Sequence, residues 1–135
     1  MTEPSRHPLL TVRGLSVTYT GFFEPVRAVR NLDLTIHPGE AVGLVGESGS
    51  GKSTVALAIT GLLPAAAEVT GSINYEGQDL ATMNRAGWQS IRGRRIAMIF
   101  QDPMTSLNPY LSVGMQVAEP AMEHFACGRR QARRD

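Results

Sequence analysis

The sequence predicts an α/β protein: a strand–loop–helix core with an added antiparallel β layer. Three observations carry this. Gly46-Glu47-Ser48-Gly49-Ser50-Gly51-Lys52-Ser53-Thr54 fits G-x-x-x-x-G-K-[ST] without a mismatch. The stretch lies between the apolar run Ala41-Val42-Gly43-Leu44-Val45 and the helical pattern Val55-Ala56-Leu57-Ala58-Ile59, the order that motif requires. Ahead of it, residues 9–20 and 28–36 alternate apolar and polar side chains as half-buried strands do.

Taken in order, residues 9–20 form a first strand, broken by Gly21 to Pro25, and Ala28 to Ile36 form a second. His37-Pro38-Gly39-Glu40 is a turn, and Glu40 is structural there. Residues 41–45 are a strand of buried type leading into the loop. The glycines at 46, 49 and 51 let the backbone curl until successive N–H groups point inward, in conformations a Cβ would resist. The following helix adds orphan donors and the positive end of its dipole. Lys52 is the only lysine in the chain, and it stands where a flexible point charge reaches β- and γ-phosphates. The Ser53 hydroxyl is the Mg²⁺ ligand. This is a phosphate-binding loop, and the core is that of a P-loop NTPase. A dinucleotide fingerprint is excluded by glycine order, G-x-x-G-x-G rather than G-x-G-x-x-G.

The helix is expected to run to Leu63, stopped by Pro64, with Val55, Ile59 and Leu62 on its buried face. Gly71 to Tyr75 is a short strand ending in a turn at Glu76-Gly77. Residues 87–95 read as a weak helix and turn, and Ile96-Ala97-Met98-Ile99-Phe100 as a second buried-type strand. A loop over Met104 to Pro109 follows. From Ser112 a helical pattern carries Val113, Val117 and Met122, which Pro120 must kink or divide. Residues 128–135 look like the first turns of another helix.

Composition narrows the class. Hydrophobic content of 42% with a net charge of +1 describes a globular, soluble chain rather than a disordered one. No apolar stretch approaches membrane-spanning length, and the N-terminus has no secretory core. A single cysteine, Cys127, excludes an internal disulfide and fits a reducing cytosol. Arg92, Arg94, Arg95, Arg129, Arg130, Arg133 and Arg134 form basic patches, read as solvated faces rather than a nucleic-acid surface. The methionines, Trp88 and Phe22-Phe23 read as packing.

The phosphate loop together with Ile99-Phe100-Gln101-Asp102-Pro103-Met104-Thr105-Ser106-Leu107-Asn108-Pro109 resembles the ATP-binding subunits of ABC transporters, and most closely those of oligopeptide and dipeptide importers. The loop alone says only P-loop NTPase; the Q-D-P-x-x-S-L-N-P run is the specific part. The resemblance implies that Tyr19, ending the first strand, stacks on adenine, and that Gln101 ligates Mg²⁺ or its water in a loop touching the membrane subunit. With ATP and Mg²⁺ it implies a nucleotide site of Tyr19, Gly46, Glu47, Ser48, Gly49, Ser50, Gly51, Lys52, Ser53, Thr54 and Gln101, with Ser53 and Gln101 at the metal. It divides the chain into a flexible 1–8, the N-terminal half of a nucleotide-binding core over 9–110, and an incomplete helical subdomain from 111 to 135.

The partners implied are transmembrane permease subunits, a second ATP-binding subunit and, indirectly, an extracellular solute-binding protein, with no nucleic acid. The place implied is the cytoplasmic face of the membrane. The family's L-S-G-G-Q signature, the Asp-Glu pair of Walker B and a switch histidine do not occur here, and His7, His37 and His124 lack a switch context. The chain therefore reads as a truncated domain without catalytic residues, not turning ATP over alone. Two rivals stand beside this reading. One is a complete small P-loop NTPase with Asp102 as the Mg²⁺-supporting acid, against which Gln101 intervenes between strand and acid. The other is an ABC-type ATPase of nucleic-acid metabolism.

Overall fold

Leu10, Val12, Leu15 and Val17 are the buried side of the first strand, and their numbering changes parity half-way along. In the computed structural model, which describes residues 7–21, 23–101, 107–125, 127–128 and 131–132, a β-bulge accounts for the change. Strand β1 (Leu10–Tyr19) pairs antiparallel with β2 (Val26–Ile36) and β3 (Ala67–Tyr75). Between Val12 and Leu15 it uses three residue steps against two on β2, from Leu34 to Leu32. Against β3 it uses three steps, Arg13 to Ser16, against two, Ser72 to Thr70. One extra residue on β1 thus returns Leu15 and Val17 to the core face, where both are fully buried.

Gly71 of β3 lies against this bulge with φ of 94°, and a Cβ there would stand 2.6 Å from the carbonyl oxygens of Arg13 and Gly14. The Gly14 N–H donates to Asp33 Oδ1 at 2.8 Å and the Asn31 N–H to Ser16 Oγ at 2.9 Å, so side chains satisfy donors the bulges free. A short β4 (Gln78–Asp79) completes the sheet in the order β2-β1-β3-β4. The β3–β4 hairpin has two loop residues, Glu76 and Gly77, both at positive φ as a type I′ turn demands. A 3₁₀ turn at Leu80–Thr82 follows, capped by Asp79 Oδ1.

Helix α1 (Lys52–Ile59) touches β2 and buries Thr54, Val55 and Ala58. It is shorter than expected. Gly61 takes a left-handed φ of 64°, its N–H reaches Ala58 O, and the Leu62 N–H reaches Leu57 O at 2.8 Å. That pair of bonds is a Schellman ending, so the helix stops before Pro64 is reached. The buried face is correspondingly rotated: Ile59 is half-buried and Leu62 exposed.

Two expected strands do not form. Residues 41–45 have no regular structure, and Val42, Leu44 and Val45 are exposed, the last to 94%. Ile96 makes only an isolated bridge to Arg92; residues 97–100 are irregular, with Ile99 96% exposed and Phe100 exposed. The physical reason is common to both. An all-apolar run forms a buried strand only when neighbours supply ladder bonds on its edges and cover on its faces. Among the described residues none does.

Contacts group the chain into two compact units, Met1–Asn84 and Arg85–Asp135. In the second, α2 (Arg85–Ile91) buries Ile91 and ends in a turn where Arg95 and Ile96 N–H groups both donate to Ile91 O. The Arg92 guanidinium lies over the Trp88 ring at 4.4 Å, and Arg94 lies 5.7 Å from the Phe125 ring. Helix α3 (Val113–Phe125) runs through Pro120 undivided. Its buried residue is Ala118, whereas Val113 and Val117 are exposed. Gln116 fastens the preceding turn to the helix: its Oε1 accepts from Asn108 N–H at 2.7 Å, and its Nε2 donates to Asn108 O and Leu111 O at 3.0 Å each. Of the terminal segment, Gly128 O accepts from the N–H groups of Gln131 and Ala132. Asp102 to Ser106 and Phe22 lie outside the described residues, as do Arg129, Arg130, Arg133 and Arg134.

Candidate functional site

The two ends of the Gly46–Lys52 loop favour glycine to different degrees, Gly46 against a side chain that can turn away and Gly51 against backbone that cannot. A Cβ on Gly46 would stand 2.6 Å from Ser50 Oγ; one on Gly51 would run into the Ala28 carbonyl oxygen of β2, and Gly51 sits at φ of 89° besides. Gly49, at φ of 81°, meets nothing within 4 Å and is needed for its backbone angle alone. The Ser50 N–H closes a turn onto Glu47 O at 3.2 Å, and the Val55 N–H opens the helix ladder on Gly51 O. Gly51 is the N-cap of α1, which has no side-chain cap and no acid in its first turn. The orphan donors there are unclaimed by protein side chains and carry the positive end of the dipole.

Lys52 is turned back onto the loop. Its Nζ donates to Gly46 O at 2.7 Å, Glu47 O at 2.6 Å and Ser50 Oγ at 3.2 Å. An ammonium group has three protons, so every donor is satisfied by the ribbon it closes. Two of those three acceptors are neutral carbonyls, and an anionic oxygen in their place adds the attraction of opposite charges to the bond.

Ser53 is exposed in the first turn of α1, and among the described residues its hydroxyl has no partner. No group of three His, Cys, Asp or Glu that could hold a metal occurs among the described residues. A lone hydroxyl beside a phosphate cradle fits Mg²⁺, which keeps several waters and takes further oxygens from phosphate. Thr54 is buried, and its Oγ1 accepts from the Tyr19 hydroxyl at 3.3 Å. Tyr19 is therefore held at the first turn of α1. Glu47 and Ser48 are exposed. Gln101 is exposed and belongs to the second unit. At the turn before the loop, Glu40 Oε2 accepts from His37 N–H at 2.7 Å, with Gly39 at φ of 77°.

A cleft of about 510 Å³ opens beside the loop. Its lining combines Gly46, Gly49, Ser50, Gly51 and Lys52 of the loop with Arg27 and Arg30 of β2 and the apolar Val29, Leu32, Leu44 and Val55. Sequence reasoning did not single out the two arginines. The only signal was strand order, since β2 must pass Gly51 closely enough to exclude a Cβ.

The profile of the ABC transporter family, described as "ABC transporter", matches residues 29–134. The chain belongs to the ABC transporter family. This ABC-family chain is 44% identical, over 94% of its length, to the oligopeptide transport ATP-binding protein OppD of Mycobacterium tuberculosis, of which it covers 21%. It is 43% identical to OppD of Escherichia coli over 98% of its length, covering 39% of that protein. To the dipeptide transport ATP-binding protein DppD of Lactococcus lactis it is 41% identical over 86%, covering 34%. The chain thus spans from about a fifth to two fifths of these relatives.

Its fold is that of part of an ABC ATPase cassette. A dimeric bacterial ABC transporter cassette matches 92% of the chain with a TM-score of 0.77 at 27% identity, and 52% of that cassette is covered. A dimeric post-hydrolysis state of an ATP-binding cassette, bound to ADP and Pi, gives 0.73 at 25%. The α/β class, the phosphate-loop core and the antiparallel β layer read from the sequence agree with these neighbours. No helix among the described residues is long and apolar enough to cross a membrane.

Proposed function

We propose that the chain is the phosphate-binding part of an ATP-binding subunit of an ABC importer for oligopeptides, dipeptides or a related small solute. The observation that carries the proposal is the Lys52 ammonium closing a ribbon of glycine backbone at the uncapped start of α1. Gly46 to Thr54 cradle the triphosphate, Lys52 exchanges its carbonyl partners for β- and γ-phosphate oxygens, and Ser53 contributes its hydroxyl to Mg²⁺. Mg²⁺ there would neutralise developing phosphate charge. Tyr19 takes the adenine face. Gln101 begins the loop that meets transmembrane permease subunits.

The names of the relatives support the solute class, and the dimeric neighbours support pairing with a second ATP-binding subunit. A peripheral position on the cytoplasmic face, served from outside by a solute-binding protein, follows from that reading. Hydrolysis belongs to the assembled cassette: this sequence carries no Asp-Glu pair after an apolar strand, so the chain by itself holds nucleotide without turning it over. Titration of the purified chain with a fluorescent ATP analogue and Mg²⁺, alongside phosphate release, tests it. Saturable binding that Lys52→Ala abolishes, without turnover, is expected. Binding unaffected by Lys52→Ala overturns the site, and brisk turnover by the chain alone favours a self-sufficient P-loop NTPase.

A further inference from the structure

We propose that Arg27 and Arg30 form a second cationic wall of the phosphate cleft, gripping the polyphosphate together with Lys52; this rests on the phosphate-loop reading above. Both residues line the same cleft as Gly46, Gly49, Gly51 and Lys52. No acidic residue lines it. Among the described residues neither guanidinium has a hydrogen-bond or ion-pair partner, so neither is neutralised by the protein.

Their position is fixed by backbone. The register shifts from Val17↔Val29 to Thr18↔Arg27, which places an extra residue, Ala28, in β2. At that point β2 presses against the loop: the Ala28 carbonyl occupies the space a Gly51 side chain would need, with Val29 Cγ2 3.4 Å from the same point. The two arginines therefore flank the Ala28–Val29 segment of β2 that lies against the N-cap of α1. Lys52 is one point charge tethered to the loop, and a polyphosphate carries more negative charge than one ammonium balances, so two guanidinium groups lining the same cleft add to its hold. A guanidinium suits that task because its planar donors pair with two phosphate oxygens at once. Their exposure permits the side chains to swing onto a ligand without repacking the core.

The test is equilibrium titration of the full chain with a fluorescent ATP analogue, with inorganic tripolyphosphate as competitor. The Arg27→Gln/Arg30→Gln variant is expected to weaken both by about tenfold, as two partly screened charge-assisted bonds imply. The losses for ATP and tripolyphosphate are expected to match, and the salt dependence of binding to flatten. Arg13→Gln, on β1, serves as the control and is expected to change nothing. Affinities within twofold of the parent in the double variant, with Lys52→Ala still abolishing binding, overturn the second wall and leave the phosphate loop standing. A loss confined to ATP, with tripolyphosphate unaffected, assigns the arginines to ribose or base and also overturns it. Lys52→Ala without effect, or no saturable binding by the parent, overturns both. The arginines are exposed on β2, and circular dichroism checks that the variant keeps its sheet.

Discussion

Tyr19 and Thr54 stand 35 residues apart in sequence, and the Tyr19 hydroxyl donates to Thr54 Oγ1 at 3.3 Å. The bond joins the last residue of β1 to the first turn of α1, which are the parts of the candidate site proposed to face base and phosphate. At that length it is a weak bond, worth less than the ring it positions. Tyr19→Phe is expected to retain ATP affinity within about twofold, because the aromatic face remains. Tyr19→Ala is expected to weaken ATP by roughly tenfold or more, on the scale of base–aromatic stacking. A titration of both variants, with tripolyphosphate unaffected in either, checks the assignment.

Lys52→Ala separates binding from folding. The ammonium bonds only to exposed loop atoms, so its loss is expected to change unfolding free energy by less than about 1 kcal/mol. ATP affinity is expected to fall by more than tenfold, because the β- and γ-phosphates lose their point charge. Urea denaturation and nucleotide titration on one sample read the two effects independently.

Gly51→Ala and Gly71→Ala are expected to destabilise by about 2–4 kcal/mol each, since both positions combine positive φ with a backbone oxygen where the methyl would go. Gly49→Ala meets open space and is expected to cost only the strain of its φ, about 1 kcal/mol. Thermal melts of the three variants test the ranking, and equal shifts would contradict it.

The exposed runs bear on association. Val45→Glu and Ile99→Glu remove apolar side chains that are almost wholly in solvent, so neither is expected to lower stability by more than about 0.5 kcal/mol. Both are expected to reduce concentration-dependent self-association, which light scattering measures. A variant that unfolds would show the side chain to be buried after all.

Whatever the chain encodes through neighbours in sequence was legible before the structure. β1, β2, the His37–Glu40 turn, the glycine loop and the Glu76–Gly77 turn each follow from alternation or from residues with special backbone freedom. Residues 41–45 and 96–100 were misjudged because an apolar run says that burial is wanted, not that a partner strand is at hand. The end of α1 was placed too late because Pro64 is the louder stop signal, whereas Gly61 acts first through its left-handed cap. In the site, Lys52 and its glycines announce themselves by spacing. Arg27 and Arg30 do not, in a chain that uses arginine nearly everywhere it needs a positive charge.

The extra residue in β1 is shared by both of its neighbours, β2 on one flank and β3 on the other. It works like a single key cut into two locks: either flanking strand that creeps by one notch loses its fit to the same residue. Moving that residue along β1 itself unseats it on both flanks at once. The ring at the far end of β1 stays aligned with the helix it serves because the gear half-way along cannot skip.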